Sequence, residues 1–206
     1  MDISYFRNIG VEDYVAHFSK FYDDFYVNNC YKLEKPLIRI IDGCEEEFFV
    51  KTSTKSNYGI TEINGTKCVT LAFGSKENRI IVYSKEIFFF SCYTPDNKRY
   101  KMCEFVFNYF KNIYGDRITI QQNDILLDNK KLSGTASMIS PSGQQGQVCF
   151  INRSAPNLSL IENVDPWYNK HKRGASGINF DSEDFISKFK EMISQIYLQD
   201  IKSEQR

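Results

Sequence analysis

Apolar residues recur at helical spacing in three stretches of the chain. In residues 11–26 and in residues 95–113, apolar and mostly aromatic side chains fall at i, i+3, i+4 and i+7, so they share one face of a helix. Gly115 predicts the end of the second helix, and Asp181 or Ser182 predicts the N-cap of the third. The third helix carries its apolar residues at Phe185, Phe189, Met192 and Ile196.

Short runs rich in β-branched and aromatic residues lie between the helices and predict strands. The Asp42-Gly43 pair predicts a turn between the first two strands, and polar residues 51–59 predict a loop or an irregular hairpin. Strands follow one another with few helices between them, which is typical of an α+β fold, a mixed and mostly antiparallel sheet with flanking helices. The strands are predicted at residues 37–41, 47–50, 67–73, 79–83, 87–93, 117–120, 125–127 and 147–152.

Composition bounds the domain count and the kinds of partner. A length of 206 residues with 42% hydrophobic content predicts a single domain over residues 1–206 with a large core and a frayed tail at 202–206. Basic and acidic residues both number 26, and this balance disfavours a nucleic-acid binder. No apolar run approaches the ~20 residues that span a bilayer, and residues 1–4 do not begin a signal-peptide pattern, so we expect no membrane partner.

Cysteine and histidine usage gives no sign of a metal site. The six cysteines are scattered without a C-x-x-C pair, and His17 and His171 lie far apart, so no metal-binding residues are predicted. Cysteines such as Cys68 and Cys149 lie inside apolar runs, as buried reduced thiols do. Reduced thiols indicate a reducing compartment, and we therefore expect a cytoplasmic location.

A polar hairpin at residues 123–136 is the most informative motif in the chain. Residues 125–127 are strand formers, and Asp128-Asn129 supplies turn chemistry. Lys131 opens the return strand, and Gly134 leaves room for a close approach to the backbone. A lysine fixed on a hairpin beside a glycine can hold an anionic group. The alternative is an ordinary surface hairpin with a solvated lysine.

The spacing of Asn123, Asp124, Lys131 and Gly134 resembles the catalytic hairpin of the biotin/lipoate protein ligase family, in particular of lipoate-protein ligase A-like members. In that family an Asn-Asp pair precedes the catalytic lysine, and a glycine follows three residues later. The flanks agree, because a helix and a short strand precede the motif and a glycine-containing apolar strand at 146–152 follows it. The resemblance covers residues 96–165 and is vague elsewhere.

The resemblance implies an ATP-dependent ligase with a mixed sheet and flanking helices. Such an enzyme joins a small carboxylic acid such as lipoate to a lysine of an acceptor carrier domain, through an acyl-adenylate and with Mg²⁺. By resemblance Lys131 is the catalytic cation for the charge that develops on phosphate and carbonyl oxygens. Asn123, Asp124, Gly134 and Thr135 would then shape the substrate and nucleotide site.

Part of the family pattern is missing. Family members carry a glycine triplet before a strand that ends in His-Asp, whereas here residues 77–79 and Ser84-Lys85 occupy those places. Without the glycines the backbone cannot wrap a phosphate in the same way. Lys76, Arg79 and Lys85 are the candidates for an electrostatic substitute, and solvated loop charges are the alternative. No cysteine follows Cys149, which argues against a Cys–Lys thioester mechanism.

Three hypotheses remain open from the sequence. The first is an adenylating acyl–protein ligase. The second is a family member that has lost ligation and acts as a binding or regulatory protein. The third is an unrelated α+β binding module in which the hairpin match arose by chance. A groove with Lys131 pointing inward, walled by the hairpin and the 74–85 segment, would favour the first.

Overall fold

Two sheets and four α-helices make up the part of the chain that the structure describes. This computed structural model describes residues 1–26, 28–52, 59–71, 80–96, 101–161 and 174–203. A π-helical turn, Val15–Ser19, joins the first two helices into one segment, so the predicted helix over 11–26 is confirmed with a local irregularity. The helices are α1 (Val11–Tyr14), α2 (Lys20–Tyr26), α3 (Met102–Tyr114) and α4 (Ser182–Ser203).

The larger sheet has seven strands in the order β1-β2-β7-β11-β10-β9-β8. Only the β1–β2 pair is parallel among these described strands, and the other neighbours are antiparallel. The strands are β1 (Asp2–Ile9), β2 (Leu37–Cys44), β7 (Ile87–Thr94), β8 (Ile118–Gln121), β9 (Asp124–Leu127), β10 (Lys130–Ile139) and β11 (Gln145–Asn152).

The smaller sheet has four strands in the order β4-β5-β3-β6, with β3 and β5 parallel and the other pairs antiparallel. Together the sheets and helices confirm the predicted α+β class with mixed, mostly antiparallel pairing. The strands are β3 (Phe48–Thr52), β4 (Gly59–Ile63), β5 (Thr66–Leu71) and β6 (Ile80–Tyr83).

Strand β7 divides the two main cores, because every one of its residues is buried. Phe88 and Phe90 face the core beneath α3 and α4, whereas Phe89 and Tyr93 face the core shared with α1, α2 and the smaller sheet. This alternation is the period of two that a strand imposes. A strand buried on both faces appears in the sequence as an unbroken apolar run, as residues 87–90 do.

The helix ends follow the chemistry of their terminal residues. Gly115 follows α3 with φ of 60°, a conformation that glycine adopts at low cost. At α4 the cap is Asp181, because its Oδ1 accepts hydrogen bonds from the backbone N–H groups of Glu183 and Asp184 at 2.8 and 3.2 Å. The short helix over Leu158–Ile161 is a 3₁₀ helix.

The predicted Asp42-Gly43 turn is wrong. Strand β2 runs through both residues to Cys44, and β3 belongs to the other sheet. Gly43 has φ of +86°, but it takes this conformation beside Asn8, whose own φ is 47°, in the parallel β1 strand. An edge strand that the sequence did not reveal thus keeps β2 extended past its glycine.

The described residues show neither a disulfide, nor a metal-binding cluster, nor a membrane-spanning helix. All six cysteines are free thiols, with Cys44, Cys68, Cys92 and Cys149 buried. Within the described ranges, no group of three or more His, Cys, Asp and Glu side chains could hold a metal ion. In the same ranges, no helix is both long and apolar enough to span a bilayer.

Candidate active site

The β9–β10 hairpin brings Lys131 and Asp124 together. Asp128 and Asn129 form its tip with φ of 49° and 63°, the positive values of a tight hairpin turn. The ladder pairs Lys131 with Leu126, then shifts register between Lys131 and Ser133. This bulge lets the Lys131 ammonium reach the Asp124 carboxylate, with Nζ 2.8 Å from Oδ1.

Gly134 stands directly opposite Asp124 in the ladder. A Cβ at this position would lie 2.8 Å from Cε1 of Phe150 and 3.3 Å from Oδ1 of Asp124. Only glycine therefore leaves space for both the ring and the carboxylate. Lys131 Nζ also lies 5.3 Å from the centroid of the Phe150 ring, a distance typical of a cation–π contact.

The backbone of Lys131 is fixed on its outer side by a segment near the C-terminal helix. Its N–H donates to the Gly174 carbonyl at 2.9 Å, and its carbonyl accepts from the Ser176 N–H at 2.9 Å. Gly177 lets this segment approach closely, because a Cβ there would lie 2.5 Å from the Ser154 backbone. The lysine is thus anchored on both sides of its strand.

Asn123 and Thr135 contribute through the backbone of the neighbouring turn. The Asn123 carbonyl accepts from the Thr135 N–H at 3.0 Å and from its Oγ1 hydroxyl at 3.3 Å. These two bonds tie the start of β9 to β10 beside Asp124. The structure therefore brings five of the predicted residues together: Asn123, Asp124, Lys131, Gly134 and Thr135.

Lys131 and Asp124 border a cavity of about 180 Å³ between the two sheets. Their side chains are 34% and 27% exposed, whereas the remote lining residues Tyr14, Val50 and Phe89 are almost fully buried. The charged pair thus lies at the mouth, and the apolar end lies inside. The other lining residues are Ile81, Tyr83, Gly134, Thr135, Ala136, Val148, Cys149 and Phe150.

The buried groups of the cavity wall are neutral. Burial raises the pKa of the Cys149 thiol to about 12, and its Sγ lies 3.2 Å from Ser133 Oγ. Burial likewise raises the pKa of Tyr83 and of Tyr14. Cys149 is therefore a protonated thiol at neutral pH and no ready nucleophile.

Of the basic candidates that precede β7, only Lys85 lies among the described residues, and it does not line this cavity. Arg79, together with the rest of residues 72–79, lies outside the described residues. Lys85 is exposed in the turn between β6 and β7 and borders a separate cavity of about 440 Å³ that includes Asp42 and Arg153. Their predicted role in binding stays a prediction.

Sequence reasoning missed the aromatic wall of the cavity. Tyr14, Tyr83 and Phe150 come from α1, β6 and β11, and no spacing rule connects them. The one available signal was alternation, since Val148 and Phe150 are two residues apart and face the same side of β11. The remaining walls depend on how the two sheets pack.

Comparison with known proteins confirms the resemblance at the level of the fold. Lipoate-protein ligase A bound with ATP is similar over 96% of this chain and 86% of its own, with a TM-score of 0.61 and 12% identity. A bipartite lipoate protein ligase from Thermoplasma acidophilum, described with its E2 lipoyl domain, is similar over 96% and 84%, with a TM-score of 0.57 and 10% identity.

LipL1 of P. falciparum in complex with lipoate is similar over 97% of this chain, with a TM-score of 0.59 and 14% identity. This chain spans 63% of the length of LipL1. No protein-family profile and no curated protein sequence matches the chain. The chain therefore has the fold of the biotin/lipoate ligase catalytic domain, at 10–14% sequence identity to these three proteins.

Proposed function

We propose that this chain is an ATP-dependent acyl–protein ligase. It would activate a small carboxylic acid such as lipoate as an acyl-adenylate and pass the acyl group to a lysine of a carrier domain. The observation that carries the proposal is the Lys131–Asp124 pair at the mouth of an apolar cavity. An acid of this kind has an apolar tail and a charged head, and the cavity offers matching surfaces to both.

The fold comparison supports this assignment. Proteins of similar fold include one bound with ATP, one in complex with lipoate, and a bipartite lipoate protein ligase described together with its E2 lipoyl domain. Those ligands are described for the similar proteins, and their binding to this chain is part of the proposal. The element of this chain on which the proposal depends is the hairpin that carries Lys131.

Lys131 would act on the charge that develops during both steps. In the first step a carboxylate oxygen attacks the α-phosphorus and pyrophosphate leaves. In the second the neutral acceptor amine attacks the acyl carbon, AMP leaves, and one amine proton passes to solvent. An ammonium has three N–H donors, so Asp124 occupies one and sets the direction of the others. Fixed donors of this kind stabilise a transition state without reorganising.

The residues at the mouth fit a nucleotide that brings its own metal ion. Asp124 is the single carboxylate among the described residues that line the cavity. Mg²⁺ is commonly held by one or two carboxylates together with substrate phosphates and water. Asp124 would supply such a carboxylate, and Thr135 and the backbone of Gly134 would face the nucleotide or the acyl group.

A second candidate function is a binding or regulatory role without ligation. Ser84-Lys85 stand where the family has His-Asp, and Lys85 borders a different cavity. The buried Ser84 hydroxyl donates to the Ser154 carbonyl at 3.4 Å and so serves the loop packing. These two residues give the second candidate its support.

The test measures nucleotide binding and acyl-adenylate formation. Calorimetry with ATP, Mg²⁺ and each of lipoate, octanoate and biotin is followed by detection of radiolabelled acyl-AMP. Lys131→Ala is compared with Lys130→Ala, since Lys130 is the exposed neighbour on the same strand. We expect Lys131→Ala to lower adenylate formation by about 10²-fold or more and Lys130→Ala to leave it nearly unchanged.

Absence of nucleotide binding with every acid would overturn the ligase proposal. Equal loss in both lysine variants would also contradict it, because the effect would then come from surface charge. Nucleotide-free capture of a specific partner protein would favour the second candidate.

A further inference from the structure

Arg39 on β2 is a partly buried cation without a carboxylate partner. No ion pair or hydrogen bond joins its guanidinium to any residue that the structure describes, and its Nε is enclosed. Arg153 is also partly buried and lies over the rings of Phe88 and Phe180, yet Asp42 pairs with it at 3.0 Å. The protein therefore neutralises one of these two arginines and leaves the other without a counter-ion in the described part of the chain.

Aromatic rings surround the Arg39 guanidinium on the side of α2. The guanidinium carbon lies 4.2 Å from the centroid of the Phe21 ring and 5.8 Å from that of Phe6, both typical of cation–π contacts. The Phe21 centroid in turn lies 4.7 Å from that of Tyr31 and 4.9 Å from that of Tyr93. These contacts offset part of the cost of burying the charge, but the rings supply no strong acceptor for the five guanidinium N–H groups.

A second polar group without a partner lies beside the same rings. The Tyr93 side chain is fully buried, and its hydroxyl has no hydrogen-bond partner within the described ranges. Burial lowers the pKa of Arg39, while the Tyr93 and Tyr31 hydroxyls act in the opposite direction, which shows that the three side chains are neighbours. Unpaired buried donors cost free energy, and a single acceptor bound beside these groups would relieve that cost.

The surroundings of Arg39 are separate from the cavity at Lys131, since Arg39 and its aromatic neighbours do not line that cavity. Tyr31 is 40% exposed and forms the outer rim. Gln144 fixes this rim to the sheet, because its amide N–H donates to the Tyr31 carbonyl and its amide oxygen accepts from the Leu33 N–H, both at 2.6 Å. Of the three guanidinium nitrogens only Nε is enclosed, so the two terminal nitrogens are accessible to a ligand.

We propose that Arg39 is the centre of a binding site for a small oxyanion, a carboxylate or a phosphate group. The planar guanidinium presents parallel N–H donors that match either group, and a charged contact is stronger where apolar rings exclude water. This site lies outside the proposed ligase chemistry and does not depend on it.

The test is calorimetric titration of the full chain with sodium phosphate and, separately, sodium acetate, at an ionic strength held constant with sodium chloride. Arg39→Met removes the charge but keeps an unbranched side chain that can pack on Phe21. We expect it to weaken anion binding at least about tenfold, and Tyr93→Phe, which removes one hydroxyl, to weaken it about threefold. The matched control is Arg7→Met, since Arg7 is an exposed arginine on the neighbouring strand β1 and should leave binding unchanged.

Urea denaturation separates an anion site from a purely structural role of Arg39. Without phosphate or acetate, Arg39→Met should be at least as stable as the wild type, because it removes a partly buried charge that lacks a counter-ion. Either anion that binds should then stabilise the wild type and leave Arg39→Met unaffected. If cation–π contacts were the whole role of Arg39, the variant would be less stable at every anion concentration, and both proteins would respond equally to the anions.

Binding of neither anion to the folded wild type would overturn the proposal. Equal loss in Arg39→Met and Arg7→Met would also overturn it, because the effect would then come from surface charge. Lys131→Ala should keep the anion response, and loss of the response in that variant would instead assign the anion to the ligase cavity. Tighter binding of phosphate than of acetate supports the site with a phosphorylated ligand, and the reverse order supports it with a carboxylic acid.

Discussion

Asp124 and Gly134 face each other across the β9–β10 ladder, and the Asp124 carboxylate occupies space that a side chain at position 134 would need. The same carboxylate holds the Lys131 ammonium at 2.8 Å. A lysine, an aspartate and a glycine that are separated in sequence thus act as one packed unit. Each can be tested separately because each contributes a different physical effect.

Replacing Asp124 by Asn should damage activity far more than stability. The pair with Lys131 is about one third exposed, and ion pairs of that exposure contribute about 1 kcal/mol or less. Loss of the carboxylate leaves the ammonium without its orienting acceptor, so we expect adenylate formation to fall by about 10²-fold. Urea denaturation and acyl-AMP assays measure the two effects. A large loss of stability with intact activity would show that the pair is merely structural.

Gly134→Ala should destabilise the fold by about 1–3 kcal/mol, because the new methyl group would overlap the Phe150 ring. Phe150→Leu in the same chain should recover part of this loss, since it removes the atom in the way. Gly59→Ala is the control, as no atom of the described residues lies within 4 Å of its added Cβ. Equal effects of the two alanine substitutions in chemical denaturation would contradict the packing argument.

Gly177→Ala should cost about 3 kcal/mol, because its Cβ would meet the Ser154 backbone at 2.5 Å, and backbone moves less readily than a side chain. The displaced segment would release the Lys131 N–H from the Gly174 carbonyl. Hydrogen exchange at the Lys131 amide should therefore accelerate. Among the described residues, Gly174→Ala meets the flexible Lys130 side chain, at 3.3 Å, and should leave that amide protected.

The buried thiol predicts a loss of stability at high pH. The folded protein raises the pKa of Cys149 from 9.0 to about 12, so it favours the neutral form over the thiolate. The stability linked to this group is complete below pH 9 and is lost as pH rises toward 12. Between pH 9 and 11 the free energy of unfolding, measured by chemical denaturation, should decrease less steeply with pH for Cys149→Ala than for the wild type. The same pH dependence of the free energy of unfolding in both proteins would contradict this linkage.

Sequence periodicity predicted the elements whose burial is regular. Helix α3 and strand β7 show clear patterns because one face, or both, meets a core. Strand β1 escaped prediction because most of its side chains are exposed, so its pattern lacks an apolar face. The predicted Asp42-Gly43 turn was wrong for a related reason, because the conformation of these two residues depends on pairing with β1, which the sequence did not reveal.

The residues of the candidate site also fall into two groups, those that sequence spacing predicts and those that it does not. Lys131, Asp124 and Gly134 lie within one hairpin, where spacing along the chain sets spacing in the structure. Tyr14 and Tyr83 belong to α1 and β6, and only the packing of those elements on the larger sheet brings them to the cavity. Spacing rules describe local geometry and carry no information about such distant partners.

The backbone hydrogen bonds between Lys131 and residues 174 and 176 have a consequence for folding during synthesis. The Ser176 hydroxyl bonds to the Lys130 carbonyl across 46 residues of sequence. During synthesis the hairpin can close as soon as it leaves the ribosome, because its contacts are local. The segment that secures the lysine, residues 174–176, emerges later, because it follows the hairpin in the chain. A nascent chain thus carries the hairpin before its lysine is fixed, and the emergence of residues 174–176 is the event that secures it.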